Sequence, residues 1–168
     1  MKKGFTLTEL LLTFLILSMI VIIGVPTLQK VKLNRKALYI SAFNTVDKVI
    51  NELIFDTRMF STGELDDTLC SKFADKLNIN GTYDCTTSTV PDTPNFITEN
   101  GMRWYGFQNA FSASNCPSGV DGNCMVVNVD IDGQSSGENK AGSDILSILI
   151  SSRGKITTTG TKQLEYLK

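Results

Sequence analysis

The chain has 168 residues, a formal net charge of −1 and no histidine. That length fits one domain with an appendage. The absence of histidine excludes Ser–His–Asp triads, histidine acid–base catalysis and histidine-containing zinc sites. Basic residues are concentrated near the N-terminus and the C-terminal two-thirds is mildly acidic, which argues against nucleic acid as a partner.

The N-terminus has a basic start followed by a long apolar segment. Lys2 and Lys3 precede Gly4, and the segment from Phe5 to Val25 contains a single charge, Glu9. A secretory signal has its small-residue cleavage site after the apolar stretch, whereas Gly4 comes before it. Cleavage after Gly4 would leave the apolar segment on the mature chain. As a helix this segment would be about 31 Å long, enough to cross the hydrocarbon core of a bilayer.

Glu9 is the unusual residue of this segment. A carboxylate among lipid tails costs about 2–3 kcal/mol, so a simple membrane anchor has no need of it. One interpretation is that Glu9 lies near the interface and reaches water. The other is that it has a function in assembly.

The run Lys2-Lys3-Gly4-Phe5-Thr6-Leu7-Thr8-Glu9 with its apolar continuation resembles the class III signal of type IV prepilins and pseudopilins, over roughly the first 26 residues. The resemblance implies that prepilin peptidase cuts after Gly4 and that Phe5 becomes an N-methylated terminus. It implies that Glu9 recruits the subunit into a filament and that Pro26 loosens the helix. The corresponding division is a leader (1–4), a transmembrane and polymerisation helix (5–26) and a globular head (27–168).

Location and partners follow from the same resemblance. The precursor would lie in the inner membrane, with its N-terminus in the cytoplasm and its head outside, and would then enter an extracellular or periplasmic filament. Its partners would be prepilin peptidase, the inner-membrane assembly platform and other copies of itself. Cleavage creates a cationic amine on Phe5, with which Glu9 of a staggered neighbour could pair. Such a pair would set the register, because a misplaced subunit would bury an uncompensated charge.

Beyond Thr27 the apolar pattern becomes periodic. Steps of three and four residues predict an amphipathic helix. We therefore expect one long helix from Phe5 to about Met59, bent or locally melted near Gly24 and Pro26. The periodic residues are Leu28, Val31, Leu38, Ala42, Val46, Val49, Ile50 and Leu53.

The rest of the chain predicts a short helix and then strands. The helix is expected at Asp66 to Leu77, and Thr86 to Asn95 is typical of a loop. A helix-first, strands-later order predicts an α+β fold in which the long helix packs on an antiparallel sheet, the fold that the resemblance also implies. The predicted strands are Met102 to Gln108, Cys124 to Ile131, Ile145 to Ser151 and Lys155 to Thr159.

The four cysteines all lie beyond the apolar segment. No CxxC occurs, so the spacing of thioredoxin-like sites and zinc knuckles is absent. An even count in a domain outside the membrane favours two disulfides. Of the three pairings we favour the sequential one, Cys70 with Cys85 and Cys116 with Cys124, because it closes two short loops. Free buried thiols in a reducing compartment are the alternative.

A calcium site is a further hypothesis. Asn128, Asp130 and Asp132 repeat the first half of an EF-hand-like loop, but Asn139 occupies the place of the closing glutamate. Some pseudopilins hold calcium in a C-terminal loop, and the candidate ligands here are Asp130, Asp132 and Asp144. The alternative is a strand whose apolar residues face inward and whose polar residues face water. No other cofactor is expected.

We expect a structural subunit and not an enzyme, since neither GxSxG nor a metal-ligand cluster occurs. The leading hypothesis is a subunit of a type IV pilus or a similar filament. The alternatives are a type II secretion or competence pseudopilin, and a minor pilin whose head binds DNA or a surface ligand. Trp104 and Tyr105 could stack on sugars or bases, but core packing is the favoured interpretation.

Overall fold

The computed structural model describes residues 7–30, 35–56, 60–133, 141–158 and 160–168. They belong to two compact units, Met1–Asn34 and Arg35–Lys168. We call the second unit the head and describe each unit by itself.

The first unit contains one helix, α1 (Leu7–Lys30). The helix continues through Gly24 and Pro26, so local melting there is wrong, and the alternative, a bend, stays a prediction. The Thr13 and Ser18 hydroxyls donate to the carbonyls three residues earlier, which satisfies both polar groups within the helix. Among the residues that the structure describes, no helix is both long and apolar enough to cross a membrane.

The head begins with α2 (Arg35–Phe55). Six of its side chains are buried at steps of three and four residues, which confirms the predicted amphipathic stripe from Ala42 to Leu53. Leu38 is only half-buried, and the side chains of Leu28 and Val31 are outside those described. The predicted single helix would run through residues 31–34 and end near Met59. Both places lie outside the described residues. The buried side chains are Tyr39, Ala42, Val46, Val49, Ile50 and Leu53.

A five-stranded antiparallel sheet follows, with its strands in sequential order. The two seven-residue strands agree closely with the predicted ones, and the other three strands are short. β2 ends early because Gly106 has a positive φ of 90°, and a Cβ there would lie 2.6 Å from the Val126 carbonyl oxygen. The strands are β1 (Phe96–Ile97), β2 (Arg103–Tyr105), β3 (Cys124–Asp130), β4 (Ile145–Ser151) and β5 (Ile156–Thr157).

Two short helices and a 3-10 turn complete the head. The predicted helix is present but shorter, as α3 (Leu69–Ala74). The 3-10 turn spans Ala113–Asn115. The sequence analysis missed β1 and the C-terminal helix α4 (Thr161–Tyr166).

The core lies between α2, α3 and one face of the sheet. Phe73 of α3 contacts Phe96, Trp104 and Phe107, with ring centroids 4.9–6.1 Å apart. The Tyr39 hydroxyl of α2 donates to the Ser147 carbonyl of β4. The head is therefore an α+β unit whose first helix packs on an antiparallel sheet.

Candidate functional site

The predicted processing and assembly residues lie at the start of the chain. Gly4 and Phe5 are outside the described residues. Glu9 and Pro26 belong to α1, but their side chains are not among those described. What the structure describes around them is the apolar surface of α1.

That surface is exposed along the described side chains of α1. Nine large apolar side chains between Leu7 and Met19 are between 48% and 78% exposed. Exposed apolar surface of this extent marks a site of contact with a membrane or with protein. They are Leu7, Leu10, Leu11, Leu12, Phe14, Leu15, Ile16, Leu17 and Met19.

The three candidate calcium ligands meet at one end of the sheet. Asp130 ends β3, Asp132 follows two residues later, and Asp144 directly precedes β4. Asp130 and Asp144 are buried, and the Asp132 side chain is 2% exposed. The alternative in which Asp130 and Asp132 face water is therefore wrong.

The burial of Asp130 has a structural reason. Residue alternation places it on the sheet face opposite Val129, but that second face is covered as well, because Tyr105 and Ile145 there are also buried. The Tyr105 hydroxyl donates to the Pro91 carbonyl at 2.9 Å. The loop around Pro91 thus covers a face that would otherwise be polar and wet.

Two arginines lie beside this acidic cluster. The Arg35 guanidinium approaches the Asp132 carboxylate at 3.7 Å and donates to the Ser143 hydroxyl at 2.8 Å. Arg103 is the cross-strand neighbour of Asp130 in the pairing of β2 with β3. Three carboxylates and two guanidiniums leave the cluster one negative charge in excess when all are ionised.

The excess negative charge is least favourable at Asp130. Within the described part of the head, neither of its carboxylate oxygens makes a hydrogen bond of ordinary geometry. Burial raises the pKa of Asp130 to about 6, and the neighbouring Asp132 carboxyl adds to the increase. A carboxylic acid in this setting is stabilised by keeping its proton.

No group of three or more acidic, histidine or cysteine side chains within the described residues is arranged to hold a metal ion. Residues 134–140, which include Asn139, are outside the described part of the loop. The described aspartates do not form a calcium site by themselves, so calcium binding stays a prediction.

The cysteines form two disulfides, Cys70–Cys85 and Cys116–Cys124. This is the predicted sequential pairing. The first disulfide joins α3 to the loop before β1, and the second joins the end of the 3-10 turn to the start of β3. Both lie in the head.

Trp104 and Tyr105 are both buried. This agrees with the favoured interpretation, core packing, and both faces of this strand are covered. Neither ring is available for stacking on a ligand.

A groove between α2 and the C-terminal residues was missed. Its volume is about 470 Å³, and its lining includes Ile40, Phe43, Tyr166 and Lys36. The half-buried Ile40 and Phe43 were the available signal, but the groove needs α4, which was not predicted.

Comparisons with protein-family models, with curated proteins and with solved structures find no match for this chain. A functional proposal therefore depends on the chain's own residues.

Proposed function

We propose that this chain is a structural subunit of a type IV pilus or a type IV pilus-like filament, cut by prepilin peptidase after Gly4 and assembled through its N-terminal helix. The supporting observation is the exposed apolar surface of α1. It lies beside an N-terminal sequence that resembles a prepilin signal.

The apolar surface needs a partner outside the head. Full burial of one large apolar side chain is worth about 1.5–3 kcal/mol, and nine such side chains on α1 are about half exposed or more. Covering them would release on the order of 10 kcal/mol. In the proposed cycle, lipid covers this helix in the inner-membrane precursor, and the helices of other copies cover it in the filament.

Glu9 gives the assembly a register. It is the single ionisable side chain between Phe5 and Val25, and cleavage after Gly4 creates a cationic amine on Phe5. A subunit that enters the bundle at the correct stagger pairs its Glu9 with a neighbour's amine. A subunit at the wrong stagger buries an unpaired charge, which is strongly unfavourable in an apolar environment.

The head agrees with a location outside the cytoplasm. Both of its disulfides require an oxidising compartment to persist. The proposed orientation therefore has the N-terminus in the cytoplasm, where the peptidase and the assembly platform act on it, and the head on the other side. A type II secretion or competence pseudopilin would share all of these features.

The test compares Glu9→Val with its neighbour Thr8→Val in cells that carry no other copy of the chain. Glu9→Val makes the helix more favourable in lipid, so the variant should still insert and be cut to N-methyl-Phe5. We expect it in the membrane fraction, with little or none in filaments sheared from the cells. Thr8→Val should form filaments normally, because no charge is removed.

Two results would contradict the proposal. N-terminal sequencing that finds Met1 intact in the mature protein would exclude prepilin processing. Normal filament yield from Glu9→Val would mean that Glu9 is a tolerated interfacial charge without a role in assembly.

A further inference from the structure

The head contains two Asn-Gly pairs, Asn80-Gly81 and Asn100-Gly101. Both asparagines are exposed, and both glycines have a positive φ, 89° for Gly81 and 88° for Gly101. The first pair lies in the loop between α3 and β1, and the second lies in the turn between β1 and β2. The two pairs share their chemistry, their exposure and their glycine conformation, so a difference in behaviour has to come from their contacts.

An asparagine followed by glycine can react with its own backbone. The backbone nitrogen of the glycine attacks Cγ of the asparagine side chain, because glycine has no side chain that obstructs the approach. Ammonia leaves and a five-membered imide forms, which water then opens to aspartate or isoaspartate. The net change is the replacement of an amide by a carboxylate, and such reactions make asparagine one of the thermolabile residues.

The second pair is held in a geometry that opposes this reaction. The Gly101 N–H, whose nitrogen would be the nucleophile, donates to the Thr98 carbonyl at 2.8 Å. The Asn100 side-chain oxygen accepts from the Thr98 hydroxyl at 2.6 Å and from the Met102 N–H at 3.3 Å. The nucleophile and the side chain that it would attack are therefore both restrained by the β1–β2 turn.

The first pair lacks these restraints. The Asn80 backbone N–H donates to the Ile97 carbonyl at 2.7 Å, but this bond involves neither of the reacting groups. Within the described residues, neither the Asn80 side chain nor the Gly81 N–H makes a hydrogen bond. A Cβ built on Gly81 would have no atom within 4 Å beyond its chain neighbours. The reacting groups are thus free to approach each other in open space.

We propose that Asn80 is a site of spontaneous deamidation in the folded head and that Asn100 is protected from it. The Gly81 nitrogen gives its proton to water and forms a bond to Cγ of Asn80, while the bond from Cγ to Nδ2 breaks and the amide nitrogen leaves as ammonia. One water molecule then opens the imide. The hydrogen bonds around Asn100 must break before it can react, which should make its conversion at least about 10-fold slower.

The modification adds one negative charge to the surface of the head, in a chain whose formal net charge is −1. It leaves the core intact, because Asn80, Gly81 and Thr82 are all exposed. The reaction needs no enzyme, so the converted fraction increases with the age of each copy. The inference requires only a folded head and does not depend on the proposed filament function.

The first test follows both asparagines in the full-length chain, purified in detergent and incubated at mildly alkaline pH. Cleavage after Lys76 and Arg103 places them on one peptide, and fragment ions locate each conversion of amide to carboxyl. We expect Asn80 to convert at least about 10-fold faster than Asn100. Equal rates, or an unreactive Asn80, would overturn the inference. A glycan on Asn80, for which Thr82 completes an Asn-x-Thr acceptor sequence, would also overturn it.

The second test asks whether the contacts cause the difference. In the reduced chain unfolded in urea, both asparagines should convert at similar rates. In the folded chain, Thr98→Val removes the hydroxyl that holds Asn100 and should accelerate its conversion about 3- to 10-fold, with Asn80 unchanged on the same peptide. The matched control is Thr62→Val, an exposed threonine elsewhere in the head, which should alter neither rate. A difference that persists in urea, or an unchanged Asn100 in folded Thr98→Val, would contradict protection by the turn.

Discussion

The two long helices differ in whether their apolar side chains are buried. α2 has six buried side chains on one stripe and contacts the sheet through them. α1 has apolar side chains exposed along its described length. One helix is covered by its own fold, and the other has its described apolar side chains exposed. The same mutation should therefore destabilise the head strongly when made in α2 and hardly at all when made in α1.

The largest expected contrast is between Leu53→Ala and Leu11→Ala. Leu53 is buried in the head, so its truncation should lower the free energy of unfolding by about 2–5 kcal/mol. Leu11 is 61% exposed, and its truncation should change the value by less than about 0.5 kcal/mol. Urea unfolding of the full chain, followed by the fluorescence of Trp104, the single tryptophan, reports the head alone. An equal loss in both variants would mean that α1 belongs to the head's core.

The disulfides should matter only to the head. Replacing both Cys70 and Cys85 by Ser should lower the free energy of unfolding of the head by about 3 kcal/mol. Replacing both Cys116 and Cys124 should lower it by about 2.5 kcal/mol, because closing the shorter loop removes less entropy from the unfolded chain. The measurement is the same Trp104 unfolding curve. Neither variant should reduce the amount of precursor in the membrane fraction before the head unfolds. A loss of membrane insertion in a variant with a folded head would contradict the expectation that the disulfides affect only the head.

The third effect concerns Asp130 and is similar in size to that of the shorter disulfide. Its pKa is raised to about 6 in the folded head from about 3.9 in the unfolded chain. The folded state therefore holds a proton that the unfolded state releases, and stability should fall as pH rises from about 4 to about 6 and then level off. The total loss is about 2–3 kcal/mol.

Asp130→Asn should remove that fall. The variant should be more stable than the native chain at pH 7.5 and about equal to it at pH 4, as measured by urea unfolding at both values. Asp67→Asn is the matched control, because Asp67 is an exposed aspartate outside the cluster and its replacement should bring no such gain. A less stable Asp130→Asn at pH 7.5 would contradict the raised pKa and would indicate that a cation, either Arg103 or calcium, compensates Asp130. Only a loss of stability that a chelator abolishes would support the calcium hypothesis.

The periodic parts of the fold were predicted with nearly their observed bounds, whereas α3, β2 and β5 were predicted too long and β1 and α4 were missed. The stripe of α2 and the alternation of β3 and β4 extend over enough residues to be read from sequence. β1 has two residues and α4 has six, too few for a period to show. Contacts with residues distant in sequence stabilise these elements, and a local sequence pattern does not reveal such contacts.

The acidic cluster shows a second limit. Alternation gives the face on which Asp130 lies but not what covers that face, and the covering loop around Pro91 is distant in sequence. The groove has the same origin, since Ile40 and Tyr166 come from opposite ends of the head. The disulfide pairing was accessible because short loops favour neighbouring cysteines.

The short strands at the two edges of the sheet limit how neighbouring heads can associate. An unpaired strand edge can recruit the edge of another molecule and begin aggregation. Here β5 offers only two residues at one edge. At the other edge the backbone N–H groups of Asn80 and Asp84 donate to the carbonyls of Ile97 and Asn95, each at 2.7 Å, so part of β1 is already occupied. Heads held side by side at high local concentration would therefore meet through their side chains and not by extending each other's sheets.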